Sequence, residues 1–549
     1  MHLPVVQYEQ HFPFDTIRQQ QIEAIEFAIE NWSKGKKYVV LEMGTGCGKS
    51  AIGVTLSRWL RNAYPLSQDA HEDAGAWFLT TQKVLQEQYM RDFGSCSEPM
   101  KTIKSSNNYV CQMFDTSNFQ MSCAEIHRLM SAHDFFKTMY KMCQCSCRYR
   151  EEKKEFIESL DSLTNFPYFF AESNYSGQIS MRQLLIVDEA HTVEEQLGKF
   201  VEVTVSEKFA KDKLKKKMPA HFADLSAAVT WIKGPYKTAL KKKVEEVKNL
   251  LKDPRAAEKG QVKSLTDYAK KFEILDKHMC KINRFIADFN DANWVMNVVP
   301  AQGKSMRKLV FKPVDVSPYA VTHLFGYGKK VLMLSATILD KGVFCRTLGL
   351  KEDDVAFLRV PSPFPVENRP IHYLPVGNMS KGRIDSTLPK MVEVVKMLLQ
   401  QHANEKGIIH CVNYKVAQFL YENIGGRLLI HDSSNRDQVV EYHCTCDEPT
   451  VLLSPSMMEG IDLRDDRSRF QMLCKIPFPY LGDEVVKKRM AKNRDWYDYQ
   501  TVRSVIQALG RSIRNENDHA VSYILDADWE RFFKRTKRMF PDEIVKALQ

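Results

Sequence analysis

The chain has 549 residues, of which 44% are apolar, and carries a formal net charge of +10. This length can bury at least two hydrophobic cores, and the lack of any stretch of about 18 uninterrupted apolar residues argues against a membrane-spanning helix. The first residues lack the layout of a secretory signal. We therefore expect an intracellular protein (cytoplasmic, nucleoid or nuclear, not secreted) whose 13 cysteines are metal ligands or core thiols.

The first predicted element is an apolar strand that enters a glycine-rich loop, Val39–Ser50. Its glycines let backbone N–H groups surround phosphate oxygens, Lys49 can contact the β- and γ-phosphates, and the Ser50 hydroxyl can ligate Mg²⁺. Met43 stands where the strict pattern has glycine, but the Lys-Ser pair is intact. The sequence predicts a phosphate-binding loop with the contact positions Gly44, Thr45, Gly46, Cys47, Gly48, Lys49 and Ser50.

A second strand, Phe78–Thr81, ends in hydroxyls that suit contact with a DNA backbone. A cluster of cysteines then follows, at Cys111, Cys123, Cys143, Cys145 and Cys147. Four thiolates around one centre are what a [4Fe–4S] cubane or a tetrahedral zinc requires. The spacing does not separate these two metals from each other or from a degenerate site without metal.

The next informative element is Leu184–His191, an apolar strand pattern that ends in two carboxylates. We expect Asp188 to hold magnesium and Glu189 to orient or deprotonate an attacking water. Lysine-rich, helix-permissive sequence follows from about residue 195 to residue 310. It is either a nucleic-acid contact or a solvated helical face.

The C-terminal part contains the run Gln507–Arg514, which places Arg511 and Arg514 three residues apart after a glycine. On a helix that spacing aims both guanidinium groups along one face. Their planar, charged forks suit the γ-phosphate of a nucleotide that another part of the chain holds. Three aromatic residues upstream are candidates for base stacking or for core packing: Trp496, Tyr497 and Tyr499.

With these motifs in place, the chain resembles the XPD/DinG family of superfamily 2 iron–sulfur DNA helicases. Further segments resemble family motifs in the same order, namely Phe12–Phe14 with Arg18 and Gln21, Leu334–Thr337, Ser362–Pro365 with Asn368–Pro370, and Ser454–Leu463. Asn108–Cys111 and Cys147–Tyr149 resemble the two ends of the family's [4Fe–4S] insertion.

The resemblance implies an α/β fold with two RecA-like motor domains, the first of which carries an iron–sulfur insertion and a helical arch-like insertion. Motor domain 1 would comprise residues 1–95, 156–195 and 311–345. The iron–sulfur insertion would span residues 96–155, the arch-like insertion residues 196–310, and motor domain 2 residues 346–549.

The resemblance also implies ATP, Mg²⁺ and a [4Fe–4S] cluster as ligands. The expected cluster ligands are Cys111, Cys123, Cys143 and Cys147, with Cys145 as the alternative for the third position. The expected nucleotide contacts outside the loop are Phe14, Arg18, Gln21, Gly460 and Asp462. Gln507 joins Arg511 and Arg514 in the expected catalytic set, with Lys49, Asp188 and Glu189 opposite.

The activity that the resemblance implies is ATP-dependent, 5′-to-3′ translocation on single-stranded DNA with unwinding of forked duplexes, by a motor expected to be monomeric and to bind no membrane. Two alternatives belong to other classes. One is a DNA-stimulated ATPase that remodels protein–DNA complexes without strand separation, and the other is a non-catalytic repair or replication scaffold. The intact Lys49, Asp188, Glu189 and Arg511 argue against the scaffold. No nuclease fusion is expected.

Overall fold

The computed structural model describes residues 8–44, 46–63, 74–81, 83–95, 98–109, 147–252, 262–303, 305–362, 364–432, 434–455, 463, 465–510, 512–513 and 518–549. Its strands, in chain order, are β1 (Tyr38–Met43), β2 (Ala76–Thr80), β3 (Lys101–Thr102), β4 (Asp161–Asn165), β5 (Arg182–Asp188), β6 (Val203–Ser206), β7 (Trp294–Val299), β8 (Lys308–Pro313), β9 (Gly328–Ser335), β10 (Val355–Val360), β11 (Ile371–Gly377), β12 (Gly407–His410), β13 (Leu428–Leu429), β14 (Val451–Ser454), β15 (Phe470–Leu473) and β16 (Val521–Asp526).

The α-helices of the same residues are α1 (Gln19–Ser33), α2 (Lys49–Ala63), α3 (Lys83–Phe93), α4 (Arg148–Glu158), α5 (Phe166–Ala171), α6 (Val193–Val201), α7 (Glu207–Leu214), α8 (Leu225–Trp231), α9 (Lys237–Lys252), α10 (Val262–Asp288), α11 (Ser317–His323), α12 (Lys341–Leu348), α13 (Ile384–Gln401), α14 (Tyr414–Ile424), α15 (Arg436–Thr445), α16 (Glu484–Lys492), α17 (Arg494–Leu509), α18 (Asp528–Thr536) and α19 (Asp542–Ala547). Within the residues that the structure describes, each helix is too short or too polar to cross a bilayer.

The first lobe is built on a parallel sheet of seven described strands in the order β10-β1-β9-β5-β2-β4-β3. The runs Tyr38–Met43 and Arg182–Asp188 are buried along their whole length, as strands covered on both faces must be. In the register of the sheet Glu42 lies beside Ser335, and Asp188 lies beside Leu334. The glycine-rich loop, the acid pair and the Ser335 segment therefore leave the sheet at one edge.

The first lobe continues beyond the expected start of the second motor domain at residue 346. Strand β10 pairs in parallel with β1, from Tyr38 beside Val355 to Met43 beside Val360. Strand β1 pairs with β9 on one side and with β10 on the other, so the first sheet includes residues up to 360.

The segment between α6 and α11 contains helices and a small antiparallel sheet in the order β6-β8-β7. Helix α9 buries Leu240, Val247 and Leu251 and exposes Lys241 and Lys242. Its lysines thus lie on the outer face of an amphipathic helix. The insertion was expected to be helical, and the structure adds the strands β6 to β8, whose core includes Trp294 and Phe311. These strands are short, so their alternating pattern is a weak signal in a sequence dominated by long helices.

The second lobe is a parallel sheet of six described strands in the order β11-β16-β15-β12-β14-β13. The described residues therefore contain two parallel α/β sheets, as expected. Trp496, Tyr497 and Tyr499 of α17 are all buried, which favours packing over base stacking. Thr80, at the end of β2, is fully buried, so the hydroxyl expected to face DNA lies inside the first lobe.

Arg182, at the start of β5, is a buried charged residue through which the packing of the first lobe can be tested. Its guanidinium lies 3.5 Å from the centroid of the Trp77 ring and donates to Ala76 O, Ser162 Oγ and Ile157 O. Burial lowers its pKa to about 10. Arg182→Gln should reduce the free energy of unfolding of this lobe by about 3 kcal/mol or more, because buried acceptors lose their donor.

Chemical denaturation of the purified protein measures this effect. Arg148→Gln is the matched control, because the Arg148 side chain is 75% exposed and pairs with Glu152 on its own helix. The control should unfold at the wild-type midpoint. Equal midpoints for both variants would contradict the buried role of Arg182.

A candidate nucleotide site at the edge of the first sheet

The glycine-rich loop joins β1 to α2 and has the backbone of a phosphate cradle. Gly46 and Gly48 have φ values of +81° and +72°, which residues other than glycine rarely adopt. A Cβ atom on Gly48 would lie 2.3 Å from Gln21 Nε2. This close approach and the positive φ explain why glycine stands here.

Lys49 is the first residue of α2, and its ammonium group lies at the loop. Lys49 Nζ donates to Met43 O at 3.1 Å and to Gly44 O at 3.0 Å. The cation is thus held at the concave side of the turn by carbonyl groups of the loop itself. From there it is positioned to exchange those neutral acceptors for phosphate oxygens, which bind an ammonium group more strongly.

Two residues before and within α1 also contact the loop. Arg18 Nη1 donates to Gly46 O at 2.8 Å, and Gln21 Nε2 donates to Cys47 O at 3.2 Å. The expected Arg-x-x-Gln pair therefore lies on the loop, and its contact with a nucleotide stays a prediction. Phe14 is 51% exposed, and its ring centroid lies 5.9 Å from that of Phe93 and 6.1 Å from that of Phe12.

Asp188 and Ser50, the expected magnesium ligands, both lie near the hydroxyl of Tyr89. Tyr89 OH donates to Asp188 Oδ2 at 3.0 Å. Burial raises the pKa of Tyr89, and the nearby Ser50 side chain opposes that rise. Burial raises the pKa of Asp188, and the Lys49 charge and the Tyr89 hydrogen bond oppose that rise. A hydroxyl and a carboxylate are hard oxygen ligands of the kind that Mg²⁺ prefers.

Glu189 follows in a left-handed conformation, with φ at 54°, and its N–H donates to Asp188 Oδ1 at 2.9 Å. A non-glycine residue in this region is uncommon and turns the second carboxylate away from the strand direction. Glu189 Oε2 lies 3.3 Å from His191 Nδ1. The two acids are consequently directed to different partners, as their separate expected roles require.

His191 connects the acid pair to the segment after β9. Its Nδ1 lies 2.9 Å from Ser335 Oγ, which in turn accepts from Thr337 N at 3.1 Å. On its other side, Gln507 Nε2 lies 2.8 Å from His191 Nε2. With the amide nitrogen of Gln507 as donor, the imidazole proton is on Nδ1 and is donated towards Ser335.

Glu42 accepts a hydrogen bond from the loop that follows Ser335. Leu339 N donates to Glu42 Oε2 at 3.1 Å, and Arg359 Nε donates to the same oxygen at 3.0 Å. Burial raises the pKa of Glu42, and the Arg359 charge opposes that rise. The position of the Ser335–Leu339 segment is thus fixed by an ion pair between neighbouring strands β1 and β10.

The second lobe contributes Gln507 to this site. Gln507 is on α17. In addition to its contact with His191, its Nε2 donates to Thr337 Oγ1 at 3.5 Å. The structure therefore brings Lys49, Asp188, Glu189 and Gln507 to one edge of the first sheet. Eight expected site residues lie outside the described residues: Thr45, Cys111, Cys123, Cys143, Gly460, Asp462, Arg511 and Arg514.

Tyr89, which bonds the expected metal ligand Asp188, carried no sequence signal. It is on α3, between the buried residues Gln86 and Phe93, and an aromatic residue at that spacing is ordinarily a core residue. His191 stood within the recognised acidic run, but its partners are far away in sequence. Among the described residues, no group of three His, Cys, Asp or Glu side chains is arranged to hold a metal.

Comparison with known proteins finds that this chain is similar to helicases. A family model described as the helicase C-terminal domain matches residues 390–547, and one described as the res subunit of type III restriction enzymes matches residues 15–226. The two matches contain Gln507 and the loop with both acids, respectively.

Curated relatives are similar over limited parts of their length. The chain is 34% identical to the regulator of telomere elongation helicase 1 homolog of Caenorhabditis briggsae over 15% of this chain and 10% of that protein. It is 23% identical to the ATP-dependent DNA helicase YoaA of Haemophilus influenzae over 39% of this chain and 36% of that protein. The chain is 28% identical to the factor IIH helicase subunit XPD of Schizosaccharomyces pombe, over 20% of this chain and 15% of that subunit.

Solved structures of XPD share the fold. One XPD helicase superimposes with a TM-score of 0.63 at 15% identity, covering 96% of this chain and 99% of the other. Xpd4 of S. tokodaii superimposes with a TM-score of 0.58 at 15% identity, over 97% and 99% of the two chains. The likeness shows the same two RecA-like domains along nearly the whole chain.

Tyr89→Phe tests the hydrogen bond behind the expected metal ligand Asp188. Without the hydroxyl, Asp188 loses the group that orients its carboxylate, and loss of such an orienting partner weakens metal binding about tenfold or more. The Mg²⁺ concentration for half-maximal nucleotide hydrolysis should rise accordingly. Tyr236→Phe is the control, because it also removes a buried hydroxyl, bonded to His278 at 2.7 Å, in the insertion. A wild-type Mg²⁺ requirement in Tyr89→Phe would contradict this role.

Proposed function

Because the chain belongs to the XPD/DinG family of superfamily 2 helicases, we propose that it is an ATP-dependent DNA helicase that hydrolyses ATP between its two lobes. The observation that carries the proposal is the contact of Gln507 with His191. It brings the helix before the two arginines against the acid pair of the other lobe. The chain spans 10% to 36% of the length of the three curated relatives above, so the activity is proposed from the site as well as from the names.

The first lobe would bind the phosphates and the metal. Lys49 would hold the β- and γ-phosphates, and Ser50 and Asp188 would ligate Mg²⁺, which when bound neutralises the charge of the phosphate oxygens. The hydrogen bond of Asp188 with Tyr89, and the position of Ser50 near the same hydroxyl, support this assignment. Glu189 would orient the attacking water or accept its proton, and its separation from Asp188 by the left-handed turn leaves it available for that role.

The second lobe would stabilise the transition state. Helix α17 ends at Leu509, and Arg511 and Arg514 belong to the segment that follows it, so this segment and not the helix face would carry both guanidinium groups to the cleft. Guanidinium groups delivered from the other side of a cleft stabilise developing phosphate charge only when the cleft is closed. Hydrolysis would in this way be coupled to closure and reopening, and so to stepping along a strand.

The proposed track is single-stranded DNA next to a fork, with 5′-to-3′ polarity. The names of the relatives, among them ATP-dependent DNA helicases, support DNA as the substrate. Motif residues Gly460 and Asp462 would contact both the nucleotide and the DNA. The polarity follows from the family resemblance and is part of the proposal.

The cysteine segment would hold a [4Fe–4S] cluster through Cys111, Cys123, Cys143 and Cys147. The described residues at its two ends support a closed insertion, since the rings of Tyr109 and Tyr149 lie 5.2 Å apart. Tyr109 OH also donates to Glu152 Oε2 at 2.5 Å. These contacts hold the two ends side by side, as ligation of one centre from both ends requires, and a segment this short would need such a staple.

Strand separation on 5′-tailed and 3′-tailed duplexes tests the proposed function. The wild-type protein should unwind the 5′-tailed substrate with ATP and Mg²⁺, and Lys49→Ala should reduce hydrolysis by about a hundredfold or more with the fold retained, since the phosphate contact is lost. Lys34→Ala is the matched control, because Lys34 pairs with Glu30 on the surface of α1. Unwinding of the 3′-tailed substrate alone would overturn the polarity. Hydrolysis without unwinding would favour the translocase, and turnover by Lys49→Ala would contradict the site.

Iron analysis of protein purified without air tests the cluster. We expect about four irons per chain and a brown chromophore, both reduced in Cys147→Ser because one thiolate ligand is lost. Cys280→Ser, an exposed cysteine of the insertion helix α10, should keep the iron. An iron-free wild-type protein that still unwinds DNA would contradict the proposed cluster.

A further inference from the structure

Helix α17 presents one continuous face to the first lobe. The four residues of this face follow each other at helical spacings of four, three and four: Trp496, Gln500, Arg503 and Gln507. Arg503 Nη1 donates to His191 O at 2.7 Å, and Gln507 contacts the same histidine through its ring. The C-terminal half of this face therefore lies on the acid motif.

The N-terminal half of the face converges on one carboxylate, that of Glu194. Glu194 is on α6, six residues after Asp188, and its side chain is 14% exposed. Trp496 Nε1 donates to Glu194 Oε1 at 3.1 Å, and Gln500 Nε2 donates to Glu194 Oε2 at 2.9 Å. Glu194 also forms an ion pair with Arg489 of α16.

Arg489 extends this junction to the insertion. Its guanidinium lies 4.4 Å from the centroid of the Trp496 ring, and Nη1 donates to Val314 O at 3.2 Å. Lys492 on the same helix donates to Ala292 O at 3.1 Å. The two helices of the second lobe are thus held both by Glu194 and by the base of the insertion.

The chemistry of this junction requires a carboxylate. Only an acceptor with two oxygens can take hydrogen bonds from an indole, an amide and a guanidinium at once, and an amide side chain would present a donor to one of them. Charge-assisted hydrogen bonds of this kind are stronger than neutral ones. The Gln500–Gln507 distance along the helix axis is about 10 Å, so a tilt of α17 at Glu194 displaces Gln507 from His191.

We infer that Glu194 is a positioning residue that anchors α17 and thereby holds Gln507 against the acid motif. The inference rests on the proposed function and deepens it, since it names the residue that sets the geometry between the lobes. The contacts of Glu194 are with α16 and α17 and with none of the described residues of the phosphate loop, so we expect its effect to be on turnover and not on nucleotide binding.

The test compares Glu194→Gln with Glu195→Gln, a matched variant of the neighbouring residue. Glu195 is 53% exposed and pairs with Lys199 on its own helix. In Glu194→Gln the dissociation constant of a non-hydrolysable ATP analogue should stay within about twofold of wild type, and kcat should fall about tenfold or more, because hydrogen bonds to charged groups are the strong ones. Amide hydrogen exchange in residues 494–509 should become faster. Glu195→Gln should match the wild-type protein in all three measurements.

A second variant separates anchoring from folding. Trp496→Phe keeps an aromatic ring beneath Arg489 but removes the indole N–H and one ring of the side chain. Because Gln500 and Arg489 still pair with Glu194, it should reduce kcat in the same direction by a smaller factor. Combined with Glu194→Gln, its effect should not add, because the two residues share one interaction. Wild-type kcat in Glu194→Gln, strictly additive effects, or unchanged exchange in α17 would each overturn the inference. Absence of ATPase activity in the wild-type protein would instead refute the proposed function, and the exchange comparison would still decide whether Glu194 anchors the helix.

Discussion

The contact between Gln507 and His191 is the interaction on which the account of this protein depends. It joins residues 316 positions apart and links the two parallel sheets at the edge where the phosphate loop and the acid pair emerge. His191 is bonded on its other side to Ser335, so a movement of α17 is transmitted to the loop after β9. A single imidazole thus connects the acid motif, the Ser335 segment and the second lobe.

Buried carboxylates at this edge of the first sheet favour the binding of positive charge. Asp188 is buried, and burial raises its pKa, so ionisation of its carboxyl is favoured by a nearby cation. Lys49 supplies one such charge, and a bound metal would supply more. Glu42 is also buried but is paired with Arg359, and its role is to hold the Leu339 backbone in place. The two buried acids lie on β1 and β5, which flank β9, and they differ in their partners: within the described part of the chain, Glu42 is paired with an arginine and Asp188 is not.

The sequence predicted the elements whose signals are local. The loop ending in Lys49 and the strand ending in Asp188 could be located because glycine spacing and an apolar run ending in acids are contiguous patterns, and parallel pairing then brings strand ends to one edge. The second parallel sheet followed from the family resemblance. Tyr89 and Glu194 were not predicted, since each acts through partners far away in sequence: Tyr89 through Asp188, and Glu194 through Trp496 and Gln500. Buried aromatic residues such as Trp496 do not reveal from sequence whether they fill a core or join two lobes.

The most direct test of the central claim is a structure of the protein with Mg²⁺, ADP and aluminium fluoride on a 5′-tailed DNA. The account predicts that Lys49 contacts the fluoride group from the first lobe while Arg511 and Arg514 approach it from the second, at hydrogen-bonding distances of about 3 Å. It also predicts that Gln507 stays beside His191. A trapped complex in which the first lobe alone surrounds the fluoride group, with both arginines directed away from the closed cleft, would contradict the account.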